Sequence, residues 1–348
     1  MPVQMLNLPA LLDGLKAAGE DTRLRLLALI GDGELTVSEL TDILGQSQPR
    51  ISRHLKLLTE AGLVERFREG SWVFHRHGTE SSASMLTAAL LALLDRDDPV
   101  LLRDRERLVE VRAARAEAAQ AYFRAHAHEW DALRKLHAPE REVEAAIRHA
   151  LGRGRIDSLL DLGTGTGRIL ELFAPQIGRG VGIDLSADML AVARANLERA
   201  GVRNCTVRQG DIYGLPLPRD QFDVVIVHQV LHFLDDVPRA LKEAARMLKP
   251  GGRLLVIDFA PHGLEFLREQ HAHRRLGFSA EAMTAALLQA GVVPRTHTEL
   301  APHRNLSAGE TAHEALTVSL WLAQDPRPGD AVPDRDANNE TEDRKEVA

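Results

Sequence analysis

Asp161-Leu-Gly-Thr-Gly-Thr-Gly167 follows an apolar run and precedes a helical pattern. Its glycines let the backbone turn sharply and let a ligand approach the main chain closely. Asp184 ends the next apolar run, in GVGIDLSADML. An acid there can accept both hydroxyls of an adenosine ribose. The dinucleotide fingerprint would place its third glycine at 168, where this chain has Arg168, so the spacing favours a nucleoside over a pyrophosphate. A second group of residues points to different chemistry. Gln48, Arg50, Ser52, Arg53, His54 and Lys56 crowd one short helical pattern, while Ile51, Leu55, Leu57 and Leu58 supply its apolar side. A helix of this size fits the DNA major groove, where Gln can read adenine and Arg guanine, and Lys and Ser suit phosphate. Arg66, Arg68 and Arg76 follow in an alternating stretch suited to phosphate or minor-groove contact.

These groups need two scaffolds. At 348 residues the chain has room for about two domains. A net charge of −7 argues against bulk attraction to nucleic acid, but a locally basic surface can still bind it. The single cysteine, Cys205, excludes a disulfide framework and a thiolate cage. No signal peptide pattern opens the chain, and no run approaches the ~18 apolar residues of a membrane span. The expectation is a cytoplasmic protein with no membrane partner and no metal site.

Residues 1–95 read as short helical patterns and a hairpin. DTRLRLLALIGDG stops at glycines, and TVSELTDILG carries a capping box from Thr36 to Glu39. SQPRISRHLKLLTEAG has Ser47 at its N-cap and Pro49 in its first turn. LVERFREGSWVFHRH alternates around Gly70. This is the order of a winged helix-turn-helix, with further apolar helical patterns in LPALLDGLKAA and ASMLTAALLALLD. Residues 96–145 step by three and four through Val111, Ala114, Ala118 and Tyr122, as one or two long helices linking the two halves. Residues 146–323 alternate strand-like runs with helices, which implies a doubly wound, mostly parallel sheet covered on both faces. VVPRTHTEL and ALTVSLWLA could complete that sheet. Residues 324–348 are Pro-, Asp- and Asn-rich and read as a disordered tail.

Residues 118–323 resemble the class I S-adenosylmethionine (SAM)-dependent methyltransferases, through DLGTGTG, GIDLSADML, GDIYGLPLP, FDVVIVHQVLHFLDD and LKPGGRLLVID. The resemblance implies a Rossmann-like fold. It implies a cofactor loop of Asp161, Gly163, Thr164, Gly165 and Gly167, with Leu185 and Met189 beyond the ribose acid Asp184. It further implies that Asp211 and Ile212 meet the adenine and that His228 lies near the sulfonium. AYFRAHAHEWDALR resembles the lid of ubiquinone-biosynthesis methyltransferases. Tyr122 and Trp130 then either close over the ligand or anchor a helix. His262, His271 and His273 are either a catalytic or metal-binding cluster or polar residues of a surface helix.

Residues 20–80 resemble the ArsR/SmtB winged-helix repressors, which are two-fold dimers. The resemblance implies a homodimer, paired through LPALLDGLKAA and ASMLTAALLALLD, that reads an inverted repeat in double-stranded DNA. The thiols of the arsenic sensors would fall at Thr36 and Ser38, and hydroxyls cannot replace thiolates for a soft ion. The expected signal is therefore the nucleoside: a DNA-binding transcriptional regulator, a repressor, with SAM or S-adenosylhomocysteine (SAH) as effector, controlling methionine and one-carbon genes. The alternative is an active methyltransferase on a small-molecule or protein acceptor. In that case the winged helix serves autoregulation or dimerisation.

Overall fold

A computed structural model describes residues 6–31, 34–69, 72–78, 81–126, 140–301 and 316–329. The N-terminal part contains α1 (Leu8–Ala18), α2 (Asp21–Gly31), β1 (Leu35–Thr36), α3 (Val37–Leu44), α4 (Gln48–Glu60), β2 (Val64–Glu69), β3 (Trp72–His77) and α5 (Ser81–Leu93). The capping box at α3 is formed. Thr36 Oγ1 accepts the Glu39 amide, Glu39 Oε2 accepts the Thr36 amide at 2.8 Å, and Gly45 ends the helix at φ 62°. Ser47 stands at the α4 N-cap in extended conformation, but its side chain makes no capping bond there. Strands β2 and β3 pair antiparallel, and β1 joins them through Leu35 opposite His75. Leu26, Leu40, Ile43, Ile51, Leu55 and Leu58 are buried in one shared core.

The linker contains one long helix, α6 (Pro99–His126), whose first half belongs to the winged-helix core through buried Leu108. Arg25 of α2 holds Asp104 of α6 with two bonds of 2.7 Å, and Arg107 donates to the Ile43 carbonyl. The next described helix, α7 (Glu140–Leu151), packs with the second domain instead, through Val143, Ile147 and Leu151. The core of that domain therefore reaches back before residue 146.

The second domain runs β4 (Ile156–Leu162), α8 (Arg168–Phe173), β5 (Ile177–Asp184), α9 (Ala187–Arg199), β6 (Cys205–Gln209) and β7 (Phe222–His228). A 3-10 turn (Leu231–Phe233), α10 (Val237–Arg246), β8 (Leu248–Phe259), α11 (Phe266–His271), α12 (Ala280–Gln289), β9 (Val293–Leu300) and β10 (Val318–Gln324) follow. The seven strands take the order β6-β5-β4-β7-β8-β10-β9. The first five are parallel, while β10 pairs antiparallel with both β8 and β9. The two runs expected to complete the sheet are these last two strands. Alternate residues of the central strands feed two cores, as apolar runs buried on both faces require. Leu160, Val225 and Leu254 face one layer, and Leu159, Ile226 and Leu255 the other. The chain leaves β4 towards β5 on one side and towards β7 on the other, so a crevice opens at the strands' carboxyl ends.

The tail from Gln324 is not wholly irregular. Asp325 donates its amide to Gly252, and Arg327 reaches the Leu248 carbonyl and Asp220. Residues 330–348 lie outside the described residues. Among the described residues, no helix is long and apolar enough to cross a membrane.

Candidate functional site

The turn after β4 is built from the residues that opened the sequence reading. Amides of Gly163 and Thr164 donate to the Ile183 carbonyl at 2.7 and 3.0 Å, which ties the loop to β5. Thr164 Oγ1 donates to Asp161 Oδ2 at 2.6 Å. Gly163 has φ 71°, and a Cβ there would lie 2.2 Å from Val230 Cγ2. Only glycine meets both demands. Asp184, at the end of β5, accepts the Gly165 amide on Oδ2 and the Ser186 amide on Oδ1, each at 2.8 Å. Burial pushes its carboxyl above the usual aspartate value, even though the Ser186, Gly165 and Leu185 amides act against the shift. Each carboxylate oxygen keeps a second lone pair for a ligand hydroxyl.

A cavity of about 380 Å³ occupies this crevice. Asp161, Gly163, Thr164, Gly165, Asp184 and Leu185 line one end, with Met189, Asp211, Ile212 and His228. Asp211 Oδ1 accepts the Tyr213 amide at 2.9 Å, and Ile212 is partly buried against the core. Gly167 does not line the cavity. It is the left-handed N-cap of α8, packed on Ala193.

The far wall holds residues that motif reading did not name. Phe123 of α6 meets Phe233 at 4.9 Å between ring centroids, and both line the cavity with Gln229, Asp235, Arg268 and Arg274. Gln229 adopts φ 54°, a strained backbone of the kind held at binding sites. Tyr213 Oη accepts the amides of Asp235 and Asp236, and burial pushes its hydroxyl up to about 12. The only sequence signal for this wall is that it follows β7 and β8, where parallel sheets place substrate loops.

The structure separates the candidate lid residues. Tyr122 Oη lies 2.6 Å from His271 Nδ1, which ties α6 to α11, and Tyr122 itself does not line the cavity. Trp130 lies outside the described residues. The histidines divide as well. His273 lines the cavity and packs at a tilt on buried His232, 4.1 Å between ring centroids. His232 Nδ1 lies 2.7 Å from Asp258 Oδ1. His262 and His271 pack on Phe259 and Phe266. Among the described residues, no group of three or more His, Cys, Asp and Glu is arranged to hold a metal.

On α4, Gln48, Arg50, Ser52, Arg53 and Lys56 are exposed along one face, and Arg66 and Arg68 are exposed on β2. His54 turns away from that face to Glu20, 3.5 Å distant, with its side chain 13% exposed. Burial keeps its imidazole below the usual histidine value, so it adds no positive charge at neutral pH. Arg76, on β3, has a side chain 43% exposed that pairs with Glu65 at 3.1 Å and stands 4.0 Å from Glu34.

Comparison with known proteins agrees with this division. Residues 160–256 match the family described as "Methyltransferase domain", and residues 20–66 match "Bacterial regulatory protein, arsR family". The chain is 36% identical over 104 residues to the uncharacterized methyltransferase YcgJ of Bacillus subtilis, covering 30% of this chain and 41% of the relative. It is 37% identical over 113 residues to the ubiquinone/menaquinone biosynthesis C-methyltransferase UbiE of Pectobacterium carotovorum, covering 31% and 45%. It is 39% identical over 110 residues to an arsenite methyltransferase of Aquipseudomonas alcaligenes, covering 29% and 32%. The chain thus spans less than half the length of these curated relatives. A methyltransferase solved in complex with the Haloferax volcanii Trm112 activator shares the fold, with a TM-score of 0.52 and 24% identity over 61% of this chain and 99% of that one. S-adenosylmethionine fits the site on its own chemistry: a half-buried acid with free lone pairs at the end of β5, a glycine turn closed against β5, and a nucleoside-sized cavity. One chain thus carries both a match to the bacterial arsR family of regulatory proteins, at 20–66, and a match to the methyltransferase domain, at 160–256.

Proposed function

We propose that this chain is a DNA-binding transcriptional regulator, a repressor, whose methyltransferase-fold domain binds SAM or SAH as effector. One observation carries the reading. A single chain presents an exposed basic helix face on α4 and, in a separate domain, a built nucleoside cavity. In this reading Asp184 holds the ribose, Asp211 and Ile212 receive the adenine, and Gly163 and Gly165 leave room for the methionine portion. His228 lies towards the sulfonium. Arg50 and Gln48 read bases, while Arg53, Ser52, Lys56, Arg66 and Arg68 hold phosphates. A homodimer on an inverted repeat is supported by exposed Leu8, Leu12 and Leu15 on α1 and by Met85 and Leu93 on α5. Methionine and one-carbon genes are the proposed targets.

The test is operator affinity by fluorescence anisotropy on promoter fragments, titrated separately with SAM and SAH at fixed salt. A shift of about fivefold or more by either ligand, roughly 1 kcal/mol of coupling, supports the reading. No shift while both ligands bind refutes it.

Methyl transfer is the second reading, favoured by the Asp258–His232 pair and His273 beside the cavity. SAM supplies an electrophilic methyl group, and the protein's task is alignment of the acceptor. Asp258 orients the His232 imidazole through Nδ1, and His232 in turn packs behind His273, which lines the cavity. Release of SAH from SAM in the presence of candidate acceptors tests this reading. Arsenite is not a proposed acceptor. Cys205 is the one thiol, and burial pushes it up to about 11, which suppresses the thiolate.

A further inference from the structure

Arg274 and Arg275 are adjacent, and each is only 6% exposed. Burying a guanidinium costs several kcal/mol unless it is paired, so their partners show what the pair is built to hold. The strap that carries them leaves α11 through left-handed Ala272. Amides of Arg274 and Arg275 both donate to the His232 carbonyl, at 2.8 and 3.0 Å, while the Asp258 carboxylate holds the His232 ring. The backbone of the strap is therefore fixed to the methyltransferase domain, and the two side chains leave it.

Arg274 lines the nucleoside cavity, where its Nε stands 2.6 Å from Asp235 Oδ1 as an ion pair without hydrogen-bond alignment. Asp235 is itself a cavity residue. The other end of the same guanidinium reaches the winged helix, with Nη1 3.5 Å from Glu39 Oε1 and Nη2 donating to the Glu34 carbonyl at 3.3 Å. Arg275 pairs with the Glu34 carboxylate. Both guanidinium groups lie 5.6 Å from the ring centroid of Phe74 on β3. Glu39 closes the capping box of α3 with its second oxygen, and Phe74 stacks on Phe67 of β2. One strap thus touches the cavity, the start of the first helix of the helix-turn-helix, and the wing.

We propose that the Arg274–Arg275 strap is the interface through which the winged helix senses occupancy of the cavity. The proposal rests on the reading of that cavity as a SAM or SAH site. The unequal contacts set its direction. Arg274 stands nearer to Asp235, at 2.6 Å, than to Glu39, at 3.5 Å, so a ligand group that engages Asp235 competes for the nearer charge. The guanidinium then closes on Glu39 and firms the start of α3. A ligand acts only through such a difference between states.

Hydrogen exchange of the full chain, with and without saturating SAH, tests this. Calorimetry on the same samples establishes binding first. Exchange of α3 amides is expected to slow about fivefold or more with SAH, and that response should be lost in Glu39→Gln. Gln at this position keeps the capping box but not the ion pair, so a melting temperature near wild type shows that the helix survives. Arg275→Gln, which does not line the cavity, is expected to weaken the response while SAH affinity stays within about threefold. If SAH binds and α3 exchange does not slow, the strap does not couple the domains. A full response in Glu39→Gln overturns the proposal equally. If calorimetry shows no SAH binding, the cavity assignment fails first and the proposal falls with it.

Discussion

Replacing Asp184 by Ala separates affinity from stability. The carboxylate accepts two amides and has lone pairs left for two ribose hydroxyls. Hydrogen bonds to a charged group are worth about 1.5–3 kcal/mol each. Taking the low end, because water can enter the space left behind, two lost bonds amount to about 3 kcal/mol, or roughly 150-fold in Kd. The free protein loses less. Its Gly165 and Ser186 amides forfeit an acceptor, but the substitution also removes a carboxylate whose ionisation burial opposes. An acid with a raised folded pKa is better protonated in the folded state, so its stabilising contribution falls as pH rises through the folded value. At neutral pH that cost disappears with the side chain and offsets the amide loss. Calorimetry with SAH, paired with thermal melts, is the assay. Asp188→Ala, an equal charge removal on the exposed first turn of α9, is the control and should bind as wild type. In the unmutated protein, affinity should fall on acidification at a pH above the ordinary aspartate range. Binding by Asp184→Ala within about threefold of wild type would refute the assignment of this acid to the ligand.

Three further outcomes are expected. Gly163→Ala should cost about 2–4 kcal/mol in denaturant unfolding, from its positive φ and the contact with Val230. Adding Val230→Ala should recover the packing part only, and full recovery would show that φ is not limiting. Asp104→Ala should destabilise the winged helix by about 2 kcal/mol, below the 3–5 usual for a broken buried pair, because Arg25 keeps Asp21 at 3.6 Å. Joint replacement by Arg25→Met and Asp104→Leu should return most of this loss in the same melts. His75 is buried on β3, and burial holds its imidazole below the usual histidine value. Its contribution to stability is complete above pH ~6.5 and is lost as pH falls towards the lower folded value. Melting curves between pH 7.5 and 5.5 should show that loss, and His75→Leu should flatten it.

Local signals were strong wherever a short stretch satisfies its own backbone. The α3 capping box, the glycine turn and the alternating hairpin each depend on residues within a few positions of one another, so spacing alone announced them. The same holds for the near wall of the cavity, from Asp161 to Asp184, because one β-turn-α-β unit builds it. His54 was not legible in this way. Its neighbours on α4 face solvent, but Glu20, thirty-four positions earlier, draws its ring inward.

The sequence by itself determined the two domain types, the parallel sheet and the acid that ends its second strand, because strand and helix periodicity and glycine spacing are properties of contiguous residues. It also determined that Thr36 and Ser38 offer no soft-metal ligands. Only the tertiary structure decided what meets that stretch instead. Arg274 and Arg275 approach Glu34 and Glu39 across more than two hundred residues, and no periodicity encodes such a meeting. It arises because the far end of the parallel sheet packs its strap against the winged helix, and buried guanidinium groups must find carboxylates wherever the fold places them.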